Sequence, residues 1–253
     1  MIDFHIIIPA RFASSRLPGK MLREIAGKPL IQRVYERALL CGAKSVIIAT
    51  DDERIQKVAE NFGAEVCMTS VHHMCGTDRI AETVSQLGLD EEEIVVNIQG
   101  DEPLLPVPAV KKVVEGLIHH PDAKASTLCT PIFDNHSILD PNIVKVVVNK
   151  EGYAHYFSRA PIPWDREAKV LAKEQNYFRH VGLYAYRVDL LKKYQQWEPS
   201  PVEQIELLEQ LRILWHGEKI HVSTIEEMIS PGVDTELDLE KVKEFFKENF
   251  VET

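Results

Sequence analysis

Positive charge is concentrated in one loop near the start of this acidic chain. Between residues 4 and 23 there are four cations and no acid, although the chain has 39 acids against 29 bases. The cations are Arg11, Arg16, Lys20 and Arg23. Residues 10–20 also include small side chains, which let backbone N–H groups approach an anion while Arg and Lys supply charge. The loop is therefore interpreted as a phosphate-binding loop or, alternatively, as a solvated basic loop. It is not a Walker A motif, because the opening Gly and the Ser/Thr after the Lys are missing.

Two acidic motifs could complete such a site. Asp101 lies in NIQGDEP (97–103), directly after a predicted strand, where a carboxylate can hold Mg²⁺ or simply shape a turn. Asp234 lies in GVDT (232–235) before the final predicted helix. There Asp234 or Thr235 is a natural N-cap, and the spacing from Thr235 to Asp238 resembles a capping box. A metal role for Asp234 is the less favoured alternative from the residues alone.

The elements that must position these motifs alternate between strand and helix. Nearly continuous apolar runs predict strands at 5–9, 45–50, 64–69 and 94–98. Helical spacing between them predicts helices at 30–41, 52–61 and 78–87. Such alternation predicts a mainly parallel sheet, and in open α/β sheets ligands bind beyond the carboxyl ends of the strands. The loop at 10–20 and Asp101 both fall at such ends.

The second half is more mixed. Strands are predicted at 125–132, 143–148, 181–186 and 220–225, and helices at 203–215 and 235–249. The helix at 203–215 is predicted to place four apolar residues on one face, namely Ile205, Leu208, Leu211 and Trp215. Two prolines and a charged stretch at 165–173 mark a long loop. With no repeat or linker, the chain (1–253) is predicted to be a single domain with an excursion near 150–200.

Composition narrows the functional class. The net charge of −10 argues against a nucleic-acid partner. No apolar stretch reaches the length of a membrane span, and the first residues do not form a signal peptide, so we expect a soluble, cytoplasmic protein. The four cysteines form no CxxC pair and are interpreted as reduced, mostly buried thiols. The histidine pairs at 72–73 and 119–120 are interpreted as surface or loop residues.

Eight motifs, in order along nearly the whole chain, resemble one family. They are IIIPARFASSRLPGK (6–20), TDD (50–52), CGTDR (75–79), NIQGDEP (97–103), YFSRAPIPWDR (156–166), RHVGLYAYR (179–187), LEQLRILWHGEKI (208–220) and GVDT (232–235). Together they closely resemble the 3-deoxy-manno-octulosonate cytidylyltransferase (CMP-Kdo synthetase) family. The segments at 156–166 and 179–187 separate this family from the wider cytidylyltransferase group.

The resemblance implies a fold and a reaction. The fold is a Rossmann-like, three-layer α/β nucleotidyltransferase fold with a mainly parallel, mixed central sheet, in a homodimer. The excursion near 150–200 would serve sugar binding and dimer contacts. The reaction transfers CMP from CTP to the anomeric hydroxyl of 3-deoxy-D-manno-octulosonate (Kdo) with Mg²⁺ present, giving CMP-Kdo and pyrophosphate for lipopolysaccharide synthesis. The alternatives are another acidic sugar, 8-amino-Kdo or a sialic acid, or a non-catalytic nucleotide-binding protein.

The resemblance also assigns residues. Arg11, Lys20, Asp101 and Asp234 form the implied catalytic set, and the two aspartates would hold Mg²⁺. The implied nucleotide-binding residues are Ala10, Arg11, Ser15, Arg16, Lys20, Gly76, Thr77, Arg79 and Asp101. The implied sugar-binding residues are Gln99, Arg159, His180, Tyr184, Glu209 and Gln210. One departure is Cys75, which stands where the family pattern has a serine.

Overall fold

The structure is a computed structural model, and it describes residues 3–14, 16–73, 75–167, 176–226 and 232–249. The strands are β1 His5–Ala10, β2 Glu24–Ile25, β3 Lys28–Pro29, β4 Ser45–Thr50, β5 Glu65–Met68, β6 Ile94–Asn97, β7 Ala123–Pro131, β8 Lys145–Val148, β9 Ala154–Ser158, β10 Phe178–Arg187 and β11 Lys219–Thr224. The helices are α1 Leu30–Leu39, α2 Glu53–Asn61, α3 Gly76–Leu87, α4 Val107–His119, α5 Asn135–Leu139, α6 Val188–Tyr194, α7 Pro201–Glu206, α8 Gln210–Trp215 and α9 Glu236–Asn249. A short 3-10 helix covers Lys20–Leu22.

The chain forms two compact units. Unit 1 comprises Met1–Leu89, Val95–Pro108 and Ile229–Thr253, and unit 2 comprises Asp90–Ile94 and Ala109–Met228. The single domain expected from the sequence stays a prediction.

Unit 1 contains a parallel sheet in the order β6-β1-β4-β5. Its central strand β1 is buried along its whole length, and β4 is buried at five of six positions. A strand covered on both faces needs apolar residues throughout, which is why these strands are runs of Ile, Val and Ala rather than alternating sequences. The predicted strand–helix alternation is therefore confirmed in unit 1. The parallel arrangement sends the loops after β1 and β6 out at one edge.

Unit 2 contains a mixed sheet in the order β11-β7-β10-β8-β9. The pair β11–β7 is parallel, and the other pairs are antiparallel. Strand β10 changes its register against β7 between Val181 and Tyr184. The sequence predicted β10 only from residue 181. The structure begins it at Phe178, because residues 178–181 already pair with β7.

The helix predicted at 203–215 is wrong as a single element, since the structure has two short helices, α7 and α8. The break is at Leu207, whose φ of 53° is left-handed. Helix α7 begins at a capping box between Ser200 and Glu203. The predicted apolar face is split in consequence. Leu208 and Leu211 are buried, but Ile205 is 81% exposed and Trp215 is 57% exposed.

Three further predictions concern the cysteines, the paired histidines and membrane-spanning helices. Cys41, Cys67 and Cys129 are buried, as predicted, and Cys75 is half-buried. His72 and His119 are exposed, and His73 and His120 are half-buried residues outside helices and strands, as predicted for surface or loop residues. The His120 ring also stacks on His221 with centroids 3.6 Å apart. In the ranges that the structure describes, no helix combines the length and apolar character needed to cross a membrane.

Candidate functional site

The loops after β1 and β6 leave the sheet of unit 1 at the same edge. Strands β1 and β6 are parallel, with Ile7 opposite Asn97, and the Ile98 N–H donates to the Ile7 carbonyl at 3.2 Å. The loop after Ala10 carries the basic residues, and the loop after Asn97 carries Gln99 and Asp101. The sheet therefore brings together two motifs that are about ninety residues apart in the sequence.

The Lys20 ammonium lies between two carboxylates. Its Nζ donates to Asp101 Oδ2 at 2.6 Å and to Asp234 Oδ1 at 3.1 Å. Arg16 Nη2 is 2.9 Å from the other oxygen of Asp234. The Lys20 side chain is only 9% exposed, whereas those of Asp101 and Asp234 are 23% and 42% exposed. A single buried ammonium thus bridges two carboxylates that still face solvent, and Arg16 adds a second positive charge at Asp234.

Asp234 reaches this cluster because a turn from the far end of the sequence lies on Asp101. The Val233 N–H donates to the Asp101 carbonyl at 2.8 Å, and a Cβ on Gly232 would be 3.2 Å from Asp101 Oδ1. Helix α9 is capped by Thr235, whose hydroxyl accepts from the Asp238 N–H at 3.2 Å, while Asp238 accepts from the Thr235 N–H at 2.9 Å. The predicted capping box is confirmed. Because Thr235 serves as the N-cap, the Asp234 carboxylate is left to contact Lys20 and Arg16.

A cavity of about 310 Å³ opens beside this cluster, within unit 1. Most of the predicted phosphate and nucleotide residues line it. The lining residues include Arg11, Ala13, Ser14, Arg16, Lys20, Gly76, Arg79, Gln99, Gly100, Asp101 and Asp234. Ala10 is buried at the end of β1, and Thr77 is buried in the first turn of α3. Ser15 lies outside the described residues. Arg11, Arg16 and Lys20 line the cavity, and Arg11 and Arg16 are also exposed to solvent, so both interpretations of the basic loop stay predictions.

Arg79 lines the inner part of the cavity. The residue is fully buried, and its Nη2 donates to Asp51 Oδ2 at 2.7 Å. Its Nη1 donates to the Thr69 hydroxyl. A buried guanidinium held by a carboxylate and a hydroxyl has a fixed orientation. Asp51 and Thr69 were not assigned from the sequence, although Asp51 belongs to the TDD motif, which was the available signal.

The donor set at the cavity suits a hard divalent cation. Mg²⁺ is usually held by one or two carboxylates and completes its shell with waters and phosphate oxygens. Asp101 and Asp234 supply two carboxylates that already converge on one positive group, Lys20 Nζ. Glu102 does not add to the negative charge, since burial and the neighbouring Asp101 raise the pKa of its carboxyl to about 8. Across the described ranges, no cluster of three or more His, Cys, Asp or Glu forms a protein-only metal site.

Five of the six predicted sugar-binding residues lie in unit 2, and Gln99 lies in unit 1. Strand β10 brings the rings of His180 and Tyr184 to 5.4 Å. Burial lowers the pKa of His180 to about 3 and raises the pKa of Tyr184 well above its usual value. Both side chains are therefore neutral at physiological pH. Two polar atoms, the Tyr184 hydroxyl and Gln210 Nε2, are buried without a hydrogen bond to any residue that the structure describes.

Arg159 is held by the backbone of its neighbours. Its Nε donates to the Glu206 carbonyl at 2.8 Å and its Nη1 to the Pro141 carbonyl at 3.0 Å. Its own carbonyl accepts from the buried Lys145 Nζ at 2.7 Å, and its N–H donates to the Glu206 carboxylate at 2.9 Å. Glu209 is the residue just before α8. The supporting roles of Lys145 and Glu206 were missed, because nothing in the sequence pairs them with residue 159.

Known proteins resemble this chain along nearly its whole length. The sequence profile of a family described as cytidylyltransferase matches residues 5–220. A 3-deoxy-manno-octulosonate cytidylyltransferase of Coxiella burnetii is 53% identical over 249 residues, which cover 97% of this chain and 100% of the relative. An enzyme of the same name from Pasteurella multocida is 54% identical over 254 residues, covering 96% of this chain and 98% of the relative.

A solved structure agrees with the fold. It is that of a CMP:2-keto-3-deoxy-manno-octonic acid synthetase complexed with CTP. It is 42% identical to this chain, covers 99% of this chain and 100% of its own, and superposes with a TM-score of 0.90. The predicted α/β nucleotidyltransferase fold is thereby confirmed.

Proposed function

This chain belongs to the cytidylyltransferase family, and from that premise we propose that it is a 3-deoxy-manno-octulosonate cytidylyltransferase. The reaction is CTP plus Kdo giving CMP-Kdo and pyrophosphate, for lipopolysaccharide synthesis. The observation that carries the proposal is the convergence of Lys20, Asp101 and Asp234 beside a cation-lined cavity, in a chain about half identical to enzymes of that name. A nucleoside triphosphate needs that combination of cations and metal-binding carboxylates.

The cations of unit 1 bind the triphosphate. Arg11, Arg16 and Lys20 all line the cavity. At an effective dielectric near 20, each close charge pair is worth roughly 4 kcal/mol before desolvation is subtracted. The three residues therefore stabilise the negative charge that develops on the phosphates as pyrophosphate leaves. The sugar's anomeric hydroxyl attacks the α-phosphorus directly, so the enzyme needs no covalent intermediate.

Asp101 and Asp234 would hold Mg²⁺. Bound there with CTP, the ion would offset phosphate charge and help to orient the α-phosphate. Lys20 shares both carboxylates in the structure, so its ammonium keeps them close together until a ligand arrives. Arg16 contacts Asp234 through an exposed guanidinium, which can turn toward a phosphate.

The groups assigned to the sugar have the right chemistry for an acidic polyol. Arg159 uses Nε and Nη1 on backbone carbonyls, so its other N–H groups can meet a carboxylate. His180, Tyr184 and Gln210 offer neutral donors and acceptors to hydroxyl groups. Gln99 and Glu209 complete the set by resemblance. A buried polar atom without a partner among the described residues, such as Gln210 Nε2, has an unmade hydrogen bond available to a ligand.

The decisive experiment measures pyrophosphate release. The protein is incubated with CTP, Kdo and MgCl₂, and parallel reactions omit each component or replace MgCl₂ with EDTA. We expect release only in the complete mixture. A panel of the four nucleoside triphosphates with Kdo, 8-amino-Kdo and a sialic acid then gives kcat/KM for each pair. Preference for another sugar acid would move the proposal to that substrate, and CTP binding without turnover would replace it with a binding function.

We further propose a cytoplasmic homodimer. The resemblance to the family supports the dimer. The few, widely spaced cysteines, which form no CxxC pair, suit a reducing compartment. Light scattering coupled to size exclusion measures the assembly, and a mass of about 28.8 kDa, that of one chain, would contradict the dimer.

A further inference from the structure

The hydroxyl of Thr127 lies among three polar atoms of strand β10. Thr127 is fully buried on β7 and stands opposite Tyr184 in the sheet register. Its Oγ1 is 3.0 Å from the Val181 carbonyl oxygen, 2.9 Å from that of Leu183, and 3.1 Å from His180 Nε2. The two carbonyls belong to the stretch where β10 shifts its register. A single side chain thus joins the irregular part of the strand to the imidazole of His180.

The positions of these atoms determine which group carries each proton. A carbonyl oxygen can only accept a hydrogen bond, and a threonine hydroxyl has one proton to donate. If that proton pointed at His180 Nε2, both carbonyl oxygens would face the hydroxyl oxygen with no proton between them. The hydroxyl therefore donates toward the carbonyls of Val181 and Leu183. Its lone pair then accepts from His180, so Nε2 is the nitrogen that bears hydrogen.

The other ring nitrogen of His180 is left as an acceptor. The rings of Phe157 and His180 pack in a T-shaped arrangement with centroids 4.9 Å apart, and burial keeps the imidazole neutral by lowering its pKa to about 3. A neutral imidazole has one N–H and one lone pair, and the hydrogen bond of one nitrogen sets the state of the other. Among the described residues, no side chain or backbone group donates to Nδ1 of His180.

We propose that Thr127 is a positioning residue that holds His180 as its Nε2–H tautomer and so presents Nδ1 as a hydrogen-bond acceptor to a hydroxyl group of the sugar substrate. The inference rests on the proposed function for its ligand, but the tautomer itself is a property of the protein alone. It also makes a statement about selectivity, because an acceptor at this position favours substrates that offer an O–H or N–H there. A methyl ether at the same carbon has no proton to donate and would be bound less well.

The first arm of the test is spectroscopic and needs no substrate. Full-length protein labelled with ¹⁵N-histidine contains ten imidazoles, and the His180→Gln variant identifies the signals of residue 180. We expect an Nε2–H tautomer that does not titrate between pH 5 and 8, with an Nε2 proton protected from exchange by its hydrogen bond. Thr127→Ser keeps the hydroxyl and should keep that proton, whereas the isosteric Thr127→Val should lose it. An Nδ1–H tautomer in the wild-type protein would overturn the proposal.

The second arm is kinetic. We expect Thr127→Val to raise KM for Kdo about tenfold, the size of one net hydrogen bond, with KM for CTP unchanged. Thr127→Ser should stay within about twofold of the wild-type enzyme. Equal Kdo KM values in wild type and Thr127→Val would contradict the positioning role. If Thr127→Val does not fold, the wild-type and Thr127→Ser spectra decide. No turnover of Kdo by the wild-type protein would refute the proposed function, while the Nε2 proton would still report on Thr127.

Discussion

In unit 1 the Lys20 ammonium contacts Asp101 and Asp234 at the wall of an open cavity, whereas in unit 2 the Arg212 guanidinium pairs with Glu203 inside the protein. The Lys20–Asp101 and Arg212–Glu203 pairs are both at 2.6 Å and the Lys20–Asp234 pair is at 3.1 Å, but the carboxylates of the two units differ in access to solvent. Asp234 is 42% exposed and Glu203 is 11% exposed. Charge that the protein satisfies internally holds elements together, and charge that faces a cavity is available to a ligand.

Three of the groups that unit 2 leaves for a ligand are neutral, whereas Arg159 is a cation. His180 and Tyr184 are kept uncharged by burial, and Gln210 has no charge to lose. The buried ammonium of Lys145, also in unit 2, donates its hydrogen bonds to three backbone carbonyls, those of Asp140, Ile143 and Arg159. We therefore expect substitutions in the Lys20–Asp101–Asp234 cluster to lower mainly activity, and substitutions in the Glu203–Arg212 pair to lower mainly stability.

The largest effect should follow Asp101→Asn. The amide keeps the shape of the side chain but removes the negative charge needed for a metal, so we expect kcat to fall about a thousandfold. The melting temperature should change little, because the buried Lys20 ammonium keeps its second partner, Asp234. The control is Asp122→Asn, which removes an exposed carboxylate paired with Lys219 and should retain wild-type turnover. A wild-type kcat in Asp101→Asn would contradict the assignment of Asp101 as a metal ligand. It would also remove the proposed contrast between the two ion-pair clusters.

Arg212→Met should have the opposite profile. It leaves the buried Glu203 carboxylate without its bidentate partner, and we expect the free energy of unfolding to fall by about 3 kcal/mol in urea denaturation. Lys219→Met breaks an exposed ion pair with Asp122 and should leave the free energy of unfolding nearly unchanged, because solvent screens such a pair. If both variants lost the same stability, the Glu203–Arg212 pair would not be the structural element proposed for unit 2.

Acid should act on the buried histidines of unit 2. Burial, the adjacent His120 and Lys112 lower the pKa of His221 to about 4, so the folded protein binds fewer protons than the unfolded chain between about pH 4 and 6.5. The stability from the neutral ring is complete above pH 6.5 and is lost as the pH falls toward 4. Its maximum slope is about 1.4 kcal/mol per pH unit.

The His221→Gln variant tests this dependence. Urea denaturation at pH 7, 6 and 5 should show a shallower loss of stability on acidification than in the wild-type protein. The exposed residue His155 provides the matched variant, His155→Gln, which should keep the wild-type slope. An unchanged slope in His221→Gln would show that this ring does not cause the acid sensitivity.

The smallest effect is expected at the cap of α9. Thr235→Ala removes the hydroxyl that accepts from the Asp238 N–H and should lower stability by about 1 kcal/mol. Thr235→Ser keeps the capping hydroxyl and should retain the wild-type stability. Asp234→Asn should reverse the pattern, with a large loss of kcat and little loss of stability. If Asp234→Asn were as harmless to turnover as Thr235→Ser, Asp234 would serve only the turn.

The sequence predicted those elements whose type is determined by a local pattern of apolar residues. Strand β4 was predicted with its observed bounds, because an unbroken apolar run admits few other interpretations. The break in the helix at Leu207 was not predicted, because a leucine in the sequence gives no indication of a left-handed backbone conformation. It is accommodated where the Glu203–Arg212 pair joins α7 to α8.

The candidate site was predicted unevenly for a related reason. The basic loop was visible as a charge imbalance, and Asp101 by its place after a strand. Asp234 lies 214 residues from Lys20, and from the residues alone its carboxylate reads equally well as a helix cap. Only the resemblance favoured a metal role. Thr127 gave no signal at all, because its importance depends on a register shift in the neighbouring strand.

The long separation between Lys20 and Asp234 has a consequence for biosynthesis. The cavity of unit 1 is built from three segments of the chain, and the segment with Asp234 is made after the whole of unit 2. A growing chain on the ribosome therefore has its basic loop long before it has the second carboxylate. Contacts of such high sequence separation form late and slowly in folding. Given the metal role proposed for Asp234, we expect activity to appear only after residues 232–249 have emerged and docked.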